Sequence, residues 1–320
     1  MPGIVMHHHI GHVIYSGFDE KFMDVINQDL YDLGLAGPDI YSRIEYFNRR
    51  KNSGYQDLSL AFHTQDTKKY FLALCDEVGK NRDLFGYLCG QVAHYYLDVF
   101  VNPYIYYTCG FYDPSIDNTL KFRGRKQQFE QQIDANYIQE VYDGNPRTFN
   151  IAKRCFDIEK LNPALASNFD NLFLKAYHLR GGYKLVCDGI KYTKKFYNKT
   201  YDPLGIKNSL FVLKDDGKSK TVYKYLTFKK STIDAHKYDY ANSHHELWEN
   251  PIDNQITSRA SLGDLFKSAE SAIVKCFDEL YKYFFEDAKV DLDYLFSDLS
   301  YMTGLPCEKG YDIKNVNIKL

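Results

Sequence analysis

The chain lacks any run of about eighteen apolar residues, the length a membrane-spanning helix requires. Its first residues, Met-Pro-Gly-Ile-Val-Met-His-His-His-Ile-Gly-His, lack the basic segment and following apolar stretch of a secretory leader. No Cys-x-x-Cys pair occurs, and the seven cysteines are odd in number. Neither a disulfide framework nor a cysteine zinc knuckle is therefore expected, and a reducing compartment fits best. Excess charge of one sign is also missing: 40 Lys and Arg stand against 42 Asp and Glu, a formal net charge of -2. Such a balance offers no basic field to grip a nucleic-acid backbone, which argues against nucleic acid as the partner. Repeats, low-complexity tracts and flexible linkers are absent too. The expectation is a cytoplasmic protein without stable membrane insertion, folded as a single domain over residues 1–320.

What is present is hydrophobic content of 44%, ample for a large core. Apolar residues recur at three- and four-residue spacing over 22–33, 67–78, 84–101, 121–142, 163–197 and 262–285, so the fold class is all-α. Gly37-Pro38-Asp39 and Asn52-Ser53-Gly54 mark turns, and residues 34–65 read as loop-rich, a place for ligands. Residues 209–228 carry Asp-Asp-Gly-Lys between apolar runs and read as a small hairpin, a loop insertion or a helix-loop-helix.

The segment from Gly90 to Ile105 carries the sharpest chemical signal. His94 and Asp98 are four residues apart in an apolar helical run, so both project from one helix face. An imidazole nitrogen and a carboxylate oxygen converging on one point suit zinc; the competing reading is a partly buried ion pair. Further nitrogen and oxygen donors recur in the first half of the chain at His7, Asp39, His63, Glu130 and Asp134. Three consecutive histidines, His7 to His9, are too few for a purification tag and are read as native.

The order of these blocks resembles the bacterial zinc-dependent phospholipase C family, whose fold is shared by single-strand-specific zinc nucleases. The likeness is carried by Met-Pro with His7 and Gly11, by Gly37-Pro38-Asp39, and by Gly54-Tyr55 with His63. It continues through His94-Tyr-Tyr-Leu-Asp98 with Pro103-Tyr104-Ile105, Phe129-Glu130 with Ile133-Asp134, and Asp202-Pro203-Leu204-Gly205. Asn242, His245, Trp248, Asn250 and Pro251, then Thr303-Gly304-Leu305-Pro306, complete it nearly end to end.

The resemblance implies an all-helical fold around a three-zinc cluster that cleaves phosphate esters. Its central site falls on Asp39, His63, His94 and Asp98, with Asp98 able to bridge to a second ion. A second site falls on His7, Asp98 and the N-terminal amine, while His8, His9 and His12 are read as solvated or packed. The third site departs from the family pattern: Asn102 and Lys126 stand where histidines are expected, and only Glu130 remains. An ammonium has no lone pair and an amide oxygen is a poor zinc ligand, so that site is expected to hold no metal. One or two zinc ions are expected in all.

The implied function is a zinc-dependent phosphoester hydrolase in which metal-activated water attacks phosphorus, with Asp39 and Asp98 as catalytic residues. Lys126, Glu130, Asn102 and His245 are candidates for contacting the substrate, a phosphate-ester small molecule or a phospholipid. Lys126 and Glu130 also read as an ordinary exposed i,i+4 helix pair, and His245 with Trp248 as packing at a helix junction. The alternative is a catalytically silent, metal-stabilised binding protein of the same fold.

Overall fold

The computed structural model describes residues 3–48, 58–142, 144–158, 160–214, 217, 222–228 and 239–317. Among these it is predominantly helical. The helices are α1 (Ile4–Ser16), α2 (Glu20–Asp24), α3 (Gln28–Leu35), α4 (Asp39–Asn48), α5 (Leu58–Thr64), α6 (Thr67–Lys80) and α7 (Phe85–Cys109). They continue as α8 (Arg125–Tyr142), α9 (Ile151–Arg154), α10 (Ala166–Tyr177), α11 (Gly182–Thr200), α12 (Ile206–Val212), α13 (Leu262–Phe285) and α14 (Leu292–Leu295). The one sheet among the described residues is a two-stranded antiparallel ribbon of β1 (Trp248–Glu249) and β2 (Thr257–Ser258). No helix in the described residues is long and apolar enough to cross a membrane.

Helix α7 is apolar nearly all round and buried on every side, which makes it the axis of the molecule. α3 and α13 lie along it, and one hydrophobic cluster runs from Met6 through Phe277 to Tyr301. The helix continues past Val101, where its periodic signal was expected to end, because Pro103 is accommodated inside it. A proline there leaves the Val99 carbonyl without its helical N–H. Gly304, at φ 66°, lies against that carbonyl so closely that an added Cβ would sit 2.6 Å from it.

Glycines also let α3 and α7 touch backbone to backbone. A Cβ on Gly90 would lie 2.2 Å from the Tyr31 carbonyl oxygen, and one on Gly34 would lie 2.5 Å from that of Tyr87. α13 begins with a capping box, in which the Ser261 hydroxyl accepts from the Asp264 N–H and the Asp264 carboxylate accepts from the Ser261 N–H.

Several sequence expectations are corrected. Residues 34–48 and 58–64 form the end of α3 and helices α4 and α5, not loops, because Pro38 and Asp39 supply the proline and acidic residue that favour a helix start. The periodicity over 22–33 is cut by Asn27, which caps α3 by accepting from the Leu30 N–H. That over 163–197 is cut where His178 and Gly181 adopt left-handed backbone. α1 had no clear signal, since its four histidines blur the apolar stripe. Over 209–228, left open between a hairpin, a loop insertion and a helix-loop-helix, the described residues form the end of α12 and a 3-10 turn at Tyr223–Tyr225. The Asp-Asp-Gly-Lys tract (apart from Gly217), Asn52-Ser53-Gly54 and Gly54-Tyr55 lie outside the described residues.

The glycine contacts predict opposite outcomes for two Gly→Ala changes, measured by urea denaturation. Gly90→Ala is expected to cost about 3 kcal/mol or more, because the new methyl meets backbone. Gly79→Ala, in α6 with nothing within 4 Å of the added carbon, is expected to stabilise by about 0.5–1 kcal/mol.

Candidate metal centre

Four helices bring five donor side chains together. α7 contributes His94 and Asp98 one turn apart, α1 contributes His7 from its buried face, α4 opens with Asp39, and α5 carries His63 near its end. The backbone contact between α3 and α7 brings the Leu35 carbonyl to His94, whose Nδ1–H donates to it at 2.9 Å. Gly37, at φ 54°, is needed in the next turn, since a Cβ there would meet the His94 ring at 2.4 Å. His63 Nδ1–H donates to the Ser59 carbonyl. Both bonds leave Nε2 facing the cluster with its lone pair, the outer-shell arrangement that orients histidines for metal.

α1 is held by its own device. The Asp134 carboxylate of α8 accepts from the Met6 N–H at 3.3 Å, at the positive end of the helix dipole. Burial, and then the neighbouring Glu130, push the Asp134 carboxyl up to about 8 despite the backbone N–H groups of Val5 and Met6. Gly3 is required beside it, because a Cβ would overlap the carboxylate.

The separations within the cluster are informative. His7 Nε2 lies 3.2 Å from Asp98 Oδ1, His94 Nε2 lies 3.4 Å from Asp98 Oδ2, and His63 Nε2 lies 3.5 Å from Asp39 Oδ1. His63 Nε2 is also 3.9 Å from Asp98 Oδ2. Charge-assisted hydrogen bonds close to about 2.7–2.9 Å, whereas four ligands bound tetrahedrally at about 2.1 Å stand about 3.4 Å apart. The facing atoms, His7 Nε2, His63 Nε2, His94 Nε2, Asp39 Oδ1 and both oxygens of Asp98, are buried without a hydrogen-bond partner. Buried polar atoms normally find one, because leaving them unpaired costs about 1–3 kcal/mol each. The donors therefore fit a metal shell better than a hydrogen-bonded network. Two overlapping groups, His7/His94/Asp98 and Asp39/His63/His94, could each hold an ion, and Asp98 turns one oxygen toward His7 and the other toward His63 and His94.

Protonation states agree with this. Burial, and then His94, push His7 down to about 4, and burial lowers His63. Asp98 lies well below the carboxylate range, because His94 and His7 outweigh the burial that opposes ionisation. Against burial, Asp98 raises His94. A lowered Asp98 beside a lowered His7 favours the protonation states that metal ligands require.

A small cleft opens beside the cluster, lined by His7, Asp39, His94, Arg43, Thr193 and Tyr197. The Arg43 guanidinium lies 4.0 Å above the Phe196 ring and donates to the Tyr197 hydroxyl at 3.4 Å. Sequence reasoning missed it, although Asp39-x-x-x-Arg43 repeats the one-turn spacing of His94 and Asp98. It also missed Tyr301, whose ring stands edge-on to His63 with centroids 5.2 Å apart.

The remaining candidates are placed differently. Lys126 Nζ pairs with Glu130 Oε1 at 2.9 Å and lies 5.3 Å from the centre of the Tyr106 ring, so the pair is partly buried rather than an exposed helix pair. Its ammonium is held well above the ordinary lysine range, because Glu130, Tyr106 and Asp39 overcome burial. Asn102 is fully buried and donates to the Tyr301 carbonyl at 2.7 Å. Its amide oxygen is buried without a hydrogen-bond partner. His245 is exposed, and its partners are Arg259 and Asp264, outside the cluster. Trp248 packs edge-on to Tyr104 and donates to the Ala260 carbonyl. The N-terminal amine lies outside the described residues.

No family model matches the chain, and comparisons with curated proteins and with solved structures returned no match.

A bound divalent transition metal is expected to stabilise the protein by about 4 kcal/mol at a thousandfold excess over Kd, and chelation to remove that gain. Asp98→Asn is expected to abolish retention. Acid acts in the same direction. His7 folds with a lowered pKa, so below pH 6.5 the unfolded chain takes up the proton first and His7 costs the metal-free protein stability down to about pH 4, offset in part by His94, whose raised pKa works in the opposite direction. Asp98 adds a further loss only at lower pH, and protons also compete with metal for the imidazoles. Melting curves with and without chelator between pH 4 and 8 test this; identical curves would rule the cluster out as a metal site.

Proposed function

We propose that the chain is a zinc-dependent phosphoester hydrolase of phospholipase C-like fold with a reduced metal cluster. The observation that carries this reading is the set of buried, unpaired imidazole and carboxylate atoms at coordination spacing, with the Arg43 side chain in the cleft beside them. Imidazole and carboxylate donors suit zinc among the common divalent ions. Asp39, His63, His94 and Asp98 would hold one ion; His7 and the other oxygen of Asp98 would contribute to a second.

Zinc bound there supplies Lewis acidity toward a phosphoryl oxygen and lowers the pKa of water. The protein's own groups do the rest. Asp39, at 22% the most open of the four carboxylate and imidazole groups of the first site, stands at the cleft and orients the attacking water. Arg43, held rigid between Phe196 and Tyr197, offers a fork of donors to phosphate oxygens. Lys126 occupies the third family site as a fixed positive charge: it keeps its proton, and Asn102 offers only an amide oxygen, a poor zinc ligand, so these side chains do not fit zinc. The substrate class is a phosphate-ester small molecule or a phospholipid.

The same replacement at Lys126 is the feature that favours a metal-stabilised binding protein without turnover, since the leaving group loses a metal counter-charge. Zinc content by elemental mass spectrometry, with hydrolysis of a chromogenic phosphodiester on the same samples, separates the two. The hydrolase is expected to carry one or two zincs and to lose turnover with chelator or His94→Ala. Arg43→Ala is expected to lower kcat/KM by about ten- to a hundredfold, the worth of a charged hydrogen bond. Lys126→His is expected to gain a zinc. Zinc without turnover would support the binding role, and absence of zinc would sink both.

A further inference from the structure

α1 carries histidines on two sides. His7 faces the buried cluster, while His8 and His12, one turn apart, lie half-buried on the side that meets α3. There they face Asp32 of α3: His12 Nε2 is 2.7 Å from Asp32 Oδ1, and the rings of His8 and His12 are tilted with centroids 4.2 Å apart. One ligand atom from each of the three residues falls within 4.8 Å of the others. We infer that His8, His12 and Asp32 form a second divalent-transition-metal site, separate from the buried centre.

Its scaffold is rigid. The Tyr31 hydroxyl donates to the Gly11 carbonyl at 2.7 Å, and its ring stands edge-on to His12 with centroids 6.0 Å apart. Gly11 lies so close to Leu35 that a Cβ would overlap its methyls, which brings α1 and α3 together at this level. Asp32 Oδ1 also accepts from Gln28 Nε2 at 3.3 Å, which steadies the carboxylate from the preceding turn of α3.

Two imidazoles and a carboxylate select the ion by chemistry. Zinc, nickel, cobalt and copper take such nitrogen-rich sets, whereas calcium and magnesium demand oxygen shells. On binding, the His12–Asp32 hydrogen bond opens from 2.7 Å toward the roughly 3.4 Å of two ligands on one ion. With three protein ligands and a half-exposed setting, the ion keeps positions open to water and exchanges with solution. It would clip α1, the carrier of His7, to α3, the carrier of the carbonyl that orients His94.

Equilibrium dialysis against Zn2+ or Co2+, with metal counted per chain, tests this on the wild-type chain, on His8→Asn/His12→Gln, on Asp32→Asn and on His94→Ala. The double variant is expected to bind one ion fewer than wild type while keeping the ions of the buried centre. Asp32→Asn is expected to weaken the outer site by more than about tenfold, the least that loss of even an outer-shell partner costs. His94→Ala is expected to lose buried metal and keep the outer ion. If wild type and the double variant, equally folded by circular dichroism, bind the same number of ions at saturating metal, the inference is overturned. A chain that loses only the outer ion leaves the proposed hydrolase centre standing, and one that lacks only the buried ions does the reverse.

Discussion

Asp98 is a carboxylate with no solvent exposure at the middle of the most buried helix, and much of the surrounding structure answers to it. An uncompensated charge in such a place costs several kcal/mol even after relaxation, so the chain must supply opposite charge or expel the group. It surrounds both oxygens with imidazoles drawn from three helices. Each imidazole is in turn committed by backbone: His94 and His63 through carbonyls that accept their Nδ1–H, and His7 through a helix whose start is fastened to Asp134. The segment 297–306 closes over the same point. Tyr301 donates its N–H to the His63 carbonyl and receives the Asn102 amide on its own carbonyl, so α5, α7 and this segment meet at one chain of bonds.

The constraint that lets this geometry exist is steric. Had α3 and α7 been spaced by ordinary side chains, helix axes would stand about 8–10 Å apart and the end of α3 would not reach His94. Gly34 and Gly90 remove the intervening carbons, and Gly37 turns the chain beneath the His94 ring before Pro38 and Asp39 start α4. The stretch from Gly34 to Asp39 therefore orients one donor and delivers another within six residues. That density explains why it read as a loop: glycines and a proline mark turns in general, and here they mark close packing and a helix start.

Much of the helical class was legible, because α6 and α13 carry a clear 3.6-residue apolar stripe and α7 is a long, predominantly apolar run. The donors His7, Asp39, His63, His94 and Asp98, far apart in the chain, are brought into two overlapping groups that share His94. Their spacing alone gave only the His94 and Asp98 pair; the other three entered through an ordered set of short motifs. Arg43 was not legible, since an arginine one turn after an aspartate is common and only the tertiary stacking on Phe196 singles it out. His8 and His12 were read as solvated or packed because their partner, Asp32, lies on a different helix. Breaks at Asn27 and at residues 178–181 were hidden for the same reason: a cap or a left-handed residue interrupts a helix without disturbing its apolar period.

In the proposed phospholipase C-like reading, Lys126 stands in for a metal-ligating histidine, an exchange that would change the electrostatics of the cluster without dismantling it. A divalent ion at that point would carry two positive charges and vacant coordination; an ammonium carries one charge and three donors, on a stem that also packs over Tyr106. Glu130 still has a cationic neighbour, so it is not left as a bare buried carboxylate. Asn102 keeps a polar, buried contact, but with the Tyr301 carbonyl rather than with an ion. In that reading the pair would conserve the sign of the local field while supplying no Lewis acidity. Binding of an anion would survive such an exchange more readily than acceleration of its cleavage, because a fixed charge stabilises ground and transition states more nearly alike than a ligand-exchanging metal does.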